Sequence, residues 1–293
     1  MNLKNRQLRE GVANTRSFSG FFGTANSMIS LIIVFLRQKW GVALFGISIL
    51  VAWELVVRIF HFRPVVLPGP LKVLQILLLN SKLIYRHMWP TIWQCLLGFV
   101  SAGLAGVALG IMVVYSGFFR RSVLPYIVAF QVLPKIAFAP LFIIWFGVGS
   151  LSSIVMTFFI SFFPMVIDTA TGLETTDSTL ISMARAFGAS EWQIFSTVRF
   201  PHALPFIFSG LKVSITLAVI GIIVGEFVSS QEGLGYLILF AQGSLDTPLV
   251  MATLLVLGGI GLCLYGIFLL LEKHLIYWEK EQEKDRVKKT VKV

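Results

Sequence analysis

The chain of 293 residues is 56% hydrophobic and only 13% charged, with a mean hydropathy of +0.85, whereas a soluble domain carries about 25% charged residues. That balance excludes a water-soluble fold for most of the chain. The net charge of +10 would suit nucleic acid, but six Lys/Arg fall in residues 1–40 and seven in 273–292. No basic patch interleaved with aromatics lies between the apolar runs, so no nucleic-acid role is expected.

Residues 1–40 read as a basic cytoplasmic segment. Its apolar run at 28–36 is short and is followed by Arg37 and Lys39, so no cleaved signal is expected. A membrane span needs about 20 mostly apolar residues to cross about 30 Å of hydrocarbon. Six stretches qualify: 41–60, 92–115, 123–146, 151–170, 204–228 and 248–271. The basic tail 273–293 follows, and residues 41–272 form the predicted transmembrane domain.

An even number of spans places both termini on one side, and their Lys/Arg excess makes that side cytoplasmic. Loops 147–150 and 229–247 carry no Lys or Arg, as external loops should. Loop 61–91 runs against the rule with Arg63, Lys72, Lys82 and Arg86. Pro64, Pro68 and Pro70 open it as an extended turn, and residues 71–88 read as an amphipathic helix at the outer interface.

Gly98, Ala102, Gly106 and Gly110 form a four-residue stripe that invites close approach of another helix. Pro134 and Pro140 should kink or unwind the third span. Cys95 and Cys263 lie in apolar runs, and His61, His87, His202 and His274 are scattered. No metal site or disulfide framework is expected.

Residues 171–204 interrupt the apolar pattern. Thr176 or Asp177 caps a helix whose Leu180, Met183, Ala184 and Phe187 share one face, and Gly188 closes it. Ser190 and Gln193 make a capping box for a second short helix carrying Trp192, Ile194, Phe195 and Val198. Pro201 and Pro205 are expected to terminate that unit and lead into the fifth span. The pair either rests on lipid or docks a soluble partner. Glu174, Asp177 and Glu191 balance Arg185 and Arg199, which gives little attraction to anionic lipid and favours the partner.

The segment SMARAFG (Ser182 to Gly188), nine residues, then VRFP (Val198 to Pro201) resembles the EAA loop of ATP-binding-cassette (ABC) importer membrane subunits. GASEWQIF, FPHALPFIFSGLKVSI, GEF at 225–227 and EGLGYLI at 232–238 resemble the nitrate/sulfonate/taurine-type permease branch, over roughly residues 64–272. The resemblance implies an all-α membrane protein of about six transmembrane helices, the transmembrane domain of a type I ABC importer. It also implies a multi-pass place in the bacterial inner membrane, a second permease chain in a homodimer, cytoplasmic ATPase subunits and an external substrate-binding protein. The ATPase-coupling residues it implies are Met183, Ala184, Phe187, Gly188, Ala189, Ser190, Trp192, Phe195 and Pro201. Ser182 stands where the family has glutamate, so the grip is expected to rest on shape and apolar contact around Gly188. The chain contains no GxxxxGK[ST]. No cofactor is therefore expected on this chain, and ATP would be used by the partner.

Ionisable residues at membrane depth are candidates for the substrate path. Lys135 lies near the middle of span three, where it either offers positive potential to an anion or snorkels and pairs with a carboxylate. Gln131, Pro134, Lys135 and Glu226 make up the candidate pathway, although Glu226 and Lys212 also suit helix packing. Asp168 is expected to be solvated. The turn Gly233–Tyr236 reads either as part of an outer mouth touching the binding protein or as ordinary loop chemistry. The expected function is import of a small anionic or zwitterionic nutrient, such as a sulfonate, taurine or nitrate. The alternative is an ion-coupled secondary transporter, which should show paired repeats and several mid-depth carboxylates or histidines. An intramembrane enzyme would need a nucleophile, base or metal constellation, and the sequence has none.

Overall fold

The computed structural model describes residue 41 and residues 44–276. The basic segment 1–40 and most of the tail 273–293 therefore lie outside the described residues. All regular structure among the described residues is helical.

Helix α1 covers 44–59, where Glu54 and Arg58 pair at 2.7 Å one turn apart. It is followed by α2 (Pro70–Leu79) and α3 (Ser81–Tyr115). After a π turn at Phe119–Val123 come α4 (Leu124–Val132), a 3-10 turn at Lys135–Phe138 and α5 (Ala139–Phe146). Helix α6 (Ser150–Glu174) leads to the short α7 (Ser178–Ala186) and α8 (Glu191–Ile194). A second π turn at Phe195–Arg199 joins α8 to α9 (Phe200–Ser229), and α10 (Leu234–Gly243) and α11 (Thr247–Leu275) are the last helices among the described residues.

Helices α3, α6 and α11, and the continuous run Glu191–Ser229, are each long and apolar enough to cross a membrane. The predicted third span is a bent pair, Phe119–Val132 and Lys135–Phe146, turned by 97°. The bilayer architecture holds, with four helices among the described residues long and apolar enough to cross, or five if the bent pair crosses as one. The first predicted stretch, 41–60, contributes the helix 44–59, and two of its residues lie outside the described set.

The centre is α6, held between α3 and α9 by glycine faces. A methyl group added at Gly98 or Gly110 would come within 2.6 Å and 2.7 Å of Thr157 and Thr169. At Gly225 it would meet the Ser153 backbone at 2.6 Å. The stripe on α3 thus seats α6 at near backbone contact, as small residues allow in a bilayer. The buried hydroxyls at this seam are spent locally: Thr157 donates to the Ser153 carbonyl (2.8 Å), and Ser214 of α9 donates to the Ser161 carbonyl (2.8 Å).

Three expectations are corrected. The predicted interfacial helix 71–88 is divided at Asn80, and its second half is continuous with the second span, which runs through Pro90. Val73 of α2 shares a buried cluster with Ile84 of α3 and Leu237 of α10, so this face packs on protein. Pro134 breaks the third span, with Leu133 extended before it, whereas Pro140 sits in the first turn of α5, where a missing N–H costs nothing. Pro201 and Pro205 do not end the second loop helix. The π turn absorbs the proline at the start of α9, with the Phe200 N–H reaching back to the Phe195 carbonyl.

Candidate functional site

The loop between α6 and α9 is built by local hydrogen bonding. Asp177 accepts the Thr179 N–H at 2.7 Å and caps α7. That backbone bond, with the Thr179 hydroxyl, holds the Asp177 carboxyl below its ordinary value of 3.8. At the other end, Gly188 has φ +81°, its N–H bonds the Arg185 carbonyl (2.9 Å), and the Ala189 N–H bonds the Ala184 carbonyl (3.1 Å). This is a Schellman closure, which needs a left-handed residue at Gly188. Ser190 and Gln193 then exchange both bonds of a capping box, at 2.8 and 3.3 Å. Arg185 pairs with Glu191 at 2.7 Å, fastening α7 to α8.

Ile181 and Ile194 anchor the loop in the interior. The face predicted on α7 points away from the protein: Leu180 is 49% exposed, Met183 54% and Phe187 84%, joined by Trp192 of α8 at 72%. Only Ala184 and Ala189 on this surface are half-buried. Phe195 and Pro201 lie behind it, in the π turn and the first turn of α9. A set of exposed large apolar side chains on a firmly closed loop is what a docking surface requires. The remaining short connections at this end are tied by Arg120 to Glu174 at 3.3 Å.

At the opposite end of α6, the loops around Gly149 and Gln231 line an open hollow of about 430 Å³ with Ser150, Ser230 and Glu232. Gln94 of α3 donates to Ser150 there at 3.1 Å. The two loops predicted to share the outer face are thus neighbours.

The pathway candidates divide. Gln131, Pro134 and Lys135 cluster at the break in the third span, with Gln131 and Pro134 exposed and Lys135 half-buried. The Lys135 ammonium stands 5.2 Å from the Phe163 ring centroid and has no carboxylate in ion-pair reach among the described residues. Glu226 does not belong with them. It is wholly buried, its two oxygens accepting from Thr91 Oγ1 and the Gly235 N–H, each at 2.7 Å. Lys212 is committed to Glu272 of α11 through both oxygens at 2.8 Å. Asp168 is half-buried against Gly210, not solvated, because α6 continues past it to Glu174.

Sequence reading did not assign Thr91 and the two glycines of the Gly233–Tyr236 turn to Glu226, nor His87 to the Gly233 N–H that it accepts. A Cβ at Gly233 would overlap the Glu226 carboxylate, and one at Gly235 would sit 2.7 Å from its Cβ. The signal was present as a glutamate in an apolar helix followed, seven and nine residues on, by glycines.

Residues 102–277 match the family described as "Binding-protein-dependent transport system inner membrane component". The chain is 36% identical over 248 residues to the riboflavin transport system permease protein RibX of Chloroflexus aurantiacus, covering 83% of this chain and 92% of that one. It is 31% identical over 255 residues to the putative aliphatic sulfonates transport permease protein SsuC of Bacillus subtilis, covering 84% and 91%. In fold it resembles a chain of the MetNI methionine ABC transporter, at TM-score 0.56 and 19% identity, over 68% of this chain and 96% of that one. The long apolar helices, the closed loop with its outward apolar face and these likenesses agree. The chain belongs to the binding-protein-dependent inner membrane component family, as the permease subunit of an ABC importer, working with a separate ATPase and a substrate-binding protein.

Proposed function

We propose that residues 177–200 are the handle through which the cytoplasmic ATPase drives this permease. The observation that carries the reading is the outward apolar face of Leu180, Met183, Phe187 and Trp192 on a loop closed at Gly188. Met183, Ala184, Phe187, Gly188, Ala189, Ser190, Trp192, Phe195 and Pro201 act as the coupling residues. Nucleotide is bound and hydrolysed by the partner alone. Two copies of this chain form a homodimer, with both termini cytoplasmic, and the pathway runs past Gln131, Pro134 and Lys135.

The cargo is a small anionic or zwitterionic nutrient, drawn toward the Lys135 ammonium, which meets no carboxylate among the described residues. The relatives' names span a sulfonate carrier and a riboflavin carrier at similar identity, and the external protein makes the final selection. The ion-coupled alternative finds no support among these relatives. Purifying the chain in mild detergent tests the reading: an ATPase and a binding protein should accompany it, and mass spectrometry of the binding protein's ligand names the cargo. A chain that never retains an ATPase, with Gly188→Val leaving uptake intact, would refute it.

A further inference from the structure

Behind the docking face lies a contact that the coupling reading does not require. Phe195, the first residue of the second π turn, touches Trp192 (ring centroids 5.5 Å) and Phe200 (5.7 Å). It also meets Tyr115, the last residue of α3, at 5.9 Å and 75°. Arg199, the last residue of the same π turn, places its guanidinium carbon 5.2 Å from the Tyr115 ring centroid. Its Nε is buried without a hydrogen-bond partner, and no described carboxylate pairs with it. The aromatic face is therefore what receives this cation.

Tyr115 is thus held by both ends of one π turn. The first π turn, Phe119–Val123, begins four residues after it and leads into α4 and the break before Lys135. A π turn holds one residue more than the α turn it replaces. Exchanging i→i+5 for i→i+4 bonds lets that residue shift, and such turns gather at functional sites. The docking face is consequently connected to the end of α3 by ring contacts, Trp192 to Phe195 and Phe195 with Arg199 to Tyr115. From there the chain itself leads to α4, through the extended Ser116 and the first π turn, whose Arg120 N–H bonds the Ser116 carbonyl at 3.1 Å.

We infer that Tyr115 is a positioning residue for energy coupling, passing displacement of the loop to α3 and α4 in addition to the direct path along the continuous α8–α9 run. This rests on the ATPase-docking reading above. The direct path needs no aromatic ring at position 115, so the two routes separate by mutation.

The test uses the full chain with its co-purified ATPase in lipid nanodiscs, in a Cys263→Ser background with Val132→Cys at the end of α4 as reporter. Maleimide labelling of that cysteine is timed with and without MgATP and vanadate. With Tyr115 present, nucleotide should change the labelling rate. Tyr115→Ala should shrink that change about three-fold or more, in the range of mutations that alter coupling between sites. ATPase stoichiometry and basal hydrolysis should be unaltered. Tyr115→Phe keeps the ring and should restore the response, and Arg199→Gln should weaken it in part. A full nucleotide response in Tyr115→Ala overturns the inference, as does a Tyr115→Phe as defective as the alanine variant. Loss of the ATPase from Tyr115→Ala also overturns it, since the residue would then serve docking or folding. So does an unresponsive reporter in the chain retaining Tyr115. Failure of the docking reading shows separately, as absence of ATPase from the chain with an unaltered loop.

Discussion

Thr91 Oγ1 donates to Glu226 Oε1 at 2.7 Å and, in the same position, accepts the Leu234 N–H at 2.8 Å. One hydroxyl on α3 thereby joins a carboxylate of α9 to the first turn of α10. The Gly235 N–H completes the carboxylate, and the Gly233 N–H bonds His87 Nδ1 at 3.2 Å. Thr91→Val keeps the shape and removes the bonds, leaving a buried acceptor and a buried N–H bare. Leaving such groups unsatisfied costs about 1–3 kcal/mol each, so thermal unfolding in detergent should shift down clearly. Thr91→Ser should recover most of the loss.

Gly188 should tolerate few residues, even though its surroundings are open. A left-handed backbone costs an L-residue about 1–2 kcal/mol, and β-branched residues suffer most. Gly188→Val should strip the ATPase from the purified complex, and Gly188→Asn, which adopts that conformation more readily, should retain it. Pull-down stoichiometry reads both.

Phe187→Ser and Trp192→Ser should separate docking from folding. Both side chains are largely exposed, and surface changes usually move stability by no more than about 0.5 kcal/mol. At a partner interface an aromatic anchor is worth about 2 kcal/mol or more. The unfolding midpoint of the isolated permease should therefore hold while ATPase affinity falls roughly 30-fold.

Asp177 gives a pH signature confined to one turn. Its carboxyl is held low in the folded loop, so the cap is fully present above the ordinary value of 3.8 and is lost as pH falls through the lowered value. Amide exchange in the first turn of α7 should quicken only on that acid side. Asp177→Asn keeps an acceptor without titrating, and should remove the pH dependence.

Lys135→Gln should reduce uptake of an anionic cargo about ten-fold, the scale of one lost charge-assisted contact, with ATPase binding unchanged. Lys135→Arg should keep much of it. Uptake into proteoliposomes, using the ligand found on the co-purifying binding protein, measures this.

The loop was legible because its signals are local: Asp177, Gly188, Ser190 and Gln193 each act within a few residues of themselves. The glycine stripe on α3 was legible too, since spacing alone announces a packing face. The fate of Pro201 was not, because a π turn can absorb a proline and nothing in the composition of 195–199 marks one. Pro134 and Pro140 looked equivalent, yet one breaks a helix and the other opens one, a difference set by where the helix restarts. The setting of Glu226 was not legible because its partners, Thr91 and Gly235, come from α3 and from the first turn of α10, and only the folded chain brings them together.

The closure at Gly188 and Ser190 has a consequence for the speed of assembly. The polar ends of α7 and α8 are bonded within the loop itself, so no segment has to fold when the ATPase arrives. Association should then resemble the meeting of two rigid bodies, with little ordering entropy lost. Mutations on the docking face should lengthen or shorten the life of the complex far more than they alter the rate at which it forms.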